Sequence, residues 1–90
     1  MKPIRLSAHA QEQAQRRGTT AEEIVLAIEE SEWVAAEMER KQVEKVYSFG
    51  ANWNGKLYQY KKVRPIFVEE DQEIIVVTVY TYYFDGGEGE

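Results

Sequence analysis

Cysteine is absent from this 90-residue chain and histidine occurs once. The first absence excludes a disulfide framework, a thiolate zinc site and a cysteine nucleophile, and the second a multi-histidine metal centre. Neither a metal nor a cofactor is expected. Two prolines and six glycines are too few for a linker or a collagen-like repeat. No apolar run approaches the roughly 18 residues of a membrane span, and no basic segment followed by an apolar core opens the chain. Neither a transmembrane helix nor a signal peptide is expected. A secreted domain this small usually carries disulfides, so the composition favours the cytoplasm.

What remains reads as one globular domain. Hydrophobic content of 43% lies well above that of disordered chains. The net charge of −5 is partly terminal, because Asp85, Glu88 and Glu90 belong to a D-G-G-E-G-E ending. The expected division is a single domain over residues 1–84 and a flexible acidic tail over 85–90. Without the tail the chain is nearly balanced. That argues against broad, sequence-independent nucleic-acid binding but leaves room for a local basic patch.

The first half has helical spacing. Ser7 and Gly18 suit the N-cap and C-terminal cap of a helix over about Ala8–Arg17, whose Ala10 and Ala14 form a thin apolar stripe. T-A-E-E at Thr20–Glu23 is a capping box, and Ile24, Ala27 and Ile28 give a second helix over about Ala21–Glu30 an apolar stripe. Four strands are expected to follow: Trp33–Met38, Val43–Phe49, Lys56–Val68 and Glu73–Phe84. Asn54-Gly55 marks a hairpin, and Pro65 places the third strand at an edge or a bulge. The expected architecture is α+β, two helices on one face of a four-stranded antiparallel sheet, in a meander. Ile24, Ile28, Val46, Ile75, Val77 and Val79 are the expected core.

Three groups of residues could carry chemistry. His9, Gln13, Arg16 and Arg17 share a helix face by their spacing. An imidazole can exchange a proton near neutral pH, and a guanidinium can stabilise charge on phosphoryl oxygens. The same residues also serve as ordinary surface groups and as complements to the helix dipole. Lys61, Lys62 and Arg64 form a second group beside Tyr58 and Tyr60. Alternation puts Tyr58, Tyr60, Lys62 and Arg64 on one face, a mixture suited to phosphate contacts and base stacking, or to a strand whose lysines protect an edge. The third group is the aromatic ending Tyr80, Tyr82, Tyr83 and Phe84, with Thr78 upstream. These residues exceed what one small core can hide, which suggests an interface.

Ser7-Ala8-His9-Ala10, Ala14-Gln15-Arg16-Arg17-Gly18-Thr19 and Ala21-Glu22-Glu23-Ile24, with the closing Ile75–Tyr80 strand, resemble the signature of the bacterial domain of unknown function 4258 family. That family is itself similar to small toxins of the RelE, ParE and BrnT kind. The resemblance implies a RelE-like fold, an RNA-cleaving activity and a co-encoded antitoxin. It carries over His9, Arg17 and Thr78. Gln13 stands where the family usually has arginine, and Ala14 where it has methionine.

The leading expectation is therefore a toxin acting as a metal-independent ribonuclease. His9 and Arg17 would be catalytic, while Gln13, Arg16, Lys62, Arg64 and Thr78 would bind substrate. RNA or the ribosome would be the target, and a co-encoded antitoxin or a second copy of the chain the partner. The competing expectation is a non-catalytic protein-binding module or an inactive family member.

Overall fold

The computed structural model describes residues 1–86. Helix α1 (Ala8–Arg17) and helix α2 (Ala21–Glu30) occupy the spans expected from their caps. Ser7 Oγ accepts the Ala10 amide at 3.1 Å. Both halves of the Thr20/Glu23 capping box form, at 3.0 and 3.1 Å, satisfying amides that helix geometry leaves orphaned. Gly18 ends α1 at φ 77°. A Cβ there would approach Trp53 Cζ3 and the Tyr83 hydroxyl oxygen to 2.6 Å, so the backbone conformation and the space both require glycine.

The sheet has six strands, not four: β1 (Ile4–Leu6), β2 (Val34–Ala35), β3 (Lys41–Gln42), β4 (Lys45–Trp53), β5 (Lys56–Glu69) and β6 (Ile74–Phe84). Nor is it wholly antiparallel, since β1 pairs in parallel with β6, Ile4 opposite Ile74 and Leu6 opposite Val76. The order is β1-β6-β5-β3-β2, and β4 pairs with β5 alongside β3. The segment expected as one strand over Trp33–Met38 breaks after Ala35 into a short 3₁₀ turn, with Met38 and Glu39 at positive φ. β3 comes from the polar stretch between the first two expected strands. β4 and β5 are joined by Asn54-Gly55, both at positive φ as the hairpin reading requires.

Pro65 does not lie in an edge strand, but the other alternative holds, since the β5–β6 register shifts at a bulge between Ile66 and Phe67 beside it. β5 is central, with β6 on one side and both β3 and β4 on the other. The Pro65 carbonyl accepts from the Val43 amide at 3.4 Å. A strand residue's N and C=O point to the same side, so the ring nitrogen faces the gap between β3 and β4, where the ladder needs no donor.

The helices cover one face of the sheet. Ala10, Ala14, Ile24, Ala27 and Ile28 pack with Val43, Val63, Phe67, Ile74, Val76 and Val79. Of the expected core, Ile24, Ile28 and Val79 are there; Val46 is 50% exposed, and Ile75 and Val77 are only half-buried. Val46 lies opposite Lys62 and so faces away from the helices; for Ile75 and Val77 the reason is a bulge. Phe67 pairs with Val76 and Ile66 with Thr78, leaving Val77 as an extra residue. It shifts the inward positions from Ile74 and Val76 to Val79 and Thr81. The tail expected over 85–90 starts against the sheet: Asp85 Oδ1 accepts from the Gln59 amide and Gly86 N donates to Gln59 Oε1. Its last four residues, 87–90, lie outside the described residues. Among the described residues no helix is long and apolar enough to cross a membrane.

Candidate functional site

On the face away from the helices, β5 and β6 bring three pairs side by side: Lys62 with Tyr82, Arg64 with Tyr80, and Ile66 with Thr78. Alternation forces this, because Val63, Pro65 and Phe67 between them are buried beneath the helices. The Arg64 guanidinium lies 5.0 Å from the Tyr80 ring centroid and 5.6 Å from that of Tyr82. Its Nη2 donates to the Tyr82 hydroxyl oxygen at 3.0 Å. Lys62 Nζ is 5.9 Å from the Tyr82 ring.

Arg17 joins this group from another element. β1 ends opposite Val76, so the β6 edge beyond it has no strand partner among the described residues. The Arg17 guanidinium passes that edge and lies 5.5 Å from the Tyr80 centroid. Two cations from α1 and β5 thus share one aromatic ring, a favourable electrostatic arrangement. Gln13 contributes no charge but positions one, since its Oε1 accepts from Arg17 Nε at 3.2 Å. The arginine usual at this place in the related signature could not accept that bond.

Beside this cluster is a cleft of about 620 Å3. Ile66, Thr78, Tyr80, Gln42 and Arg40 line it together with the chain between Ala35 and Met38. Thr78 thus lies in the cleft. His9 is exposed on α1 and makes no hydrogen bond among the described residues. It stands eight residues before Arg17, about 12 Å along the helix axis at 1.5 Å per residue. Arg16 points elsewhere, in an exposed pair with Glu12 at 3.6 Å.

Lys61 does not belong with Lys62 and Arg64. It faces the helices with only 6% of its side chain exposed, donating to Glu23 Oε1 at 2.9 Å and to the Gly18 carbonyl at 3.0 Å. It ties the helices to the sheet. Tyr58 also leaves the expected stripe and packs against Tyr83, their centroids 5.8 Å apart, while Tyr60 stacks on Phe84. The Tyr83 hydroxyl is engaged in the fold, donating to the Arg17 carbonyl. Burial, and then the Glu23 charge, push its phenol above its ordinary range.

Glu44 was not among the expected site residues. It lies between β3 and β4, where no periodicity marks it. Its Oε1 is 3.9 Å from Lys62 Nζ and its Oε2 4.0 Å from Arg64 Nη1. Among the described residues no three His, Cys, Asp or Glu side chains gather as a metal-binding group.

The family model described as Domain of unknown function (DUF4258) matches residues 6–81, a span that contains His9, Arg17, Lys62, Arg64 and Thr78 but stops short of Tyr82. No curated protein and no solved structure matches the chain.

Proposed function

The chain belongs to the DUF4258 family, and from that membership and the convergence of Arg17 and Arg64 on Tyr80 we propose that it is a RelE-like toxin that cleaves RNA without a metal. The convergence carries the reading. Two guanidinium groups 5.5 and 5.0 Å from one ring, beside a cleft, suit a phosphodiester whose charge grows as the bond breaks. In this reaction the 2′-hydroxyl attacks the adjacent phosphorus and loses its proton. The 5′-oxygen leaves and gains one, giving a 2′,3′-cyclic phosphate and a 5′-hydroxyl. Arg17 clamps the phosphate, Lys62 and Arg64 steer the strand, and Thr78 and Gln42 offer polar contacts in the cleft. His9 is assigned the proton transfer as the chain's single imidazole, which requires the bound strand to run along α1 from Arg17 toward its exposed side chain. Conditional expression in bacteria tests this: growth arrest is expected, and it is lost with His9→Ala or Arg17→Ala. Cleavage by the purified chain should persist in EDTA. A metal requirement, or full activity in the His9→Ala/Arg17→Ala double mutant, overturns the proposal.

A binding role is favoured by a different observation. The second edge of β4 has no strand partner among the described residues, and Val46 and Leu57 on that hairpin are 50% and 62% exposed. A strand of a co-encoded antitoxin, or of a second copy, could extend the sheet there. Co-expression with the neighbouring reading frame tests it. Recovery of a complex supports this role, and a monomer that captures no co-encoded product opposes it.

A further inference from the structure

Glu44 is the acidic side chain paired with both outer-face cations, Lys62 and Arg64. Neither separation, 3.9 or 4.0 Å, is a hydrogen bond. The carboxylate is 46% exposed and hangs from the connection between β3 and β4. Arg64 keeps unused capacity: Nη2 bonds to Tyr82 and Nη1 has only the distant carboxylate, while the unpartnered Nε is buried and takes no part. A guanidinium with a vacant Nη1 beside a loosely held carboxylate is a site for an oxyanion that binds better than the carboxylate does.

We propose that Glu44 is a stand-in anion, holding the place on Lys62 and Arg64 that an RNA phosphate takes when the strand binds. The inference rests on the RNA-directed reading above and adds to it a competitor built into the chain. Without RNA, Glu44 partly neutralises the two cations and lowers their attraction for other anions. On binding, the phosphate displaces it, and the exposed carboxylate turns to water at little cost. Tyr82, itself 42% exposed and opposite Lys62, then offers a ring on which the neighbouring base can stack.

The sign of one substitution decides the matter. The probe is a fluorescein-labelled eight-nucleotide oligouridylate with methylated 2′-hydroxyls, which cannot be cleaved by 2′-oxygen attack. Its binding is followed by fluorescence anisotropy. If Glu44 competes, Glu44→Gln tightens binding about fivefold at low salt, the scale of a unit charge 4 Å away in water. The gain fades toward about 1 M salt as screening closes in, and it is smaller when Lys62→Gln has already removed one cation. If Glu44 only props the two cations in place, Glu44→Gln weakens binding, and the proposal falls. It falls equally if the substitution changes nothing or if neither protein binds the probe. Because the probe is inert, tighter binding without cleavage of ordinary RNA upholds the role of Glu44 and removes the nuclease reading. Cleavage of ordinary RNA with no tightening in Glu44→Gln does the reverse.

Discussion

The Tyr83 hydroxyl donates to the Arg17 carbonyl at 2.6 Å, so the residue whose side chain reaches Tyr80 is fixed by its own backbone to the last strand. The Tyr83 ring is held in turn, stacked on Trp53 with centroids 4.8 Å apart. Tyr83→Phe keeps the stack and loses the bond. A cost of about 1 kcal/mol is expected, which for a chain of this size lowers the melting temperature by about 4–8 °C. An unchanged melting curve would show that the bond contributes nothing to stability.

Glu23 serves three partners. Its Oε1 accepts from the Thr20 amide and from Lys61 Nζ, and its carbonyl accepts from the Tyr47 hydroxyl at 2.6 Å. Thr20→Ala removes one half of the cap and should cost about 1 kcal/mol. Glu23→Ala also strips the buried Lys61 ammonium of its counter-charge, so about 3 kcal/mol is expected. Denaturant titrations of both variants test the order, and equal losses would contradict a structural role for the Lys61 pair.

Tyr47 makes stability fall in alkali. Burial, then the charges of Glu23 and Glu30, push its phenol up to about 12 from an ordinary value of 10.0. The folded chain holds this proton more tightly than the unfolded chain does. The corresponding stability is fully present below pH 10 and is lost as the pH rises through about 12. Tyr47→Phe should flatten that decline in urea titrations from pH 9 to 12. A decline equally steep in the variant would place its cause elsewhere.

The bulge in β6 makes neighbouring valines unequal. Val76 is fully buried and Val77 is not. Val76→Ala should cost about 2–3 kcal/mol through lost burial and a cavity, and Val77→Ala about 1 kcal/mol or less. Chemical denaturation that finds the two equally damaging would contradict the register described above.

That pair also shows what the sequence could reveal. Ile74–Phe84 is apolar on both faces, so no alternation betrays its inward side, and one extra residue inverts every assignment before it. The helices were legible to the residue because their signals are local: Ser7, Gly18 and the Thr20/Glu23 box mark the ends within a turn. β1 and β3 were not, and β2 was legible only within the longer strand expected over Trp33–Met38, since two or three residues cannot display a period. Arg17, Lys62 and Arg64 were recognisable as cations suited to phosphate. The meeting of Arg17 with Arg64 at Tyr80 depends on β1 stopping at Val76, which is a property of the assembled sheet. Lys61 differs from Lys62 only by the side of the strand it takes, and Glu44 carries no local mark.

The pairing of Ile4 with Ile74 governs the order of events during synthesis. Parallel pairing of the first strand with the last closes a loop of nearly the whole chain, a slow and entropically costly step. α1 lies against β6, so the early helix has no surface to dock on until the final strand emerges from the ribosome. A nascent chain cut short of Ile74 leaves Ala10 and Ala14 uncovered and Arg17 without Tyr80. The cationic cluster can assemble only once β6 has been made and has paired with β5, because Tyr80 and Tyr82 lie on that strand.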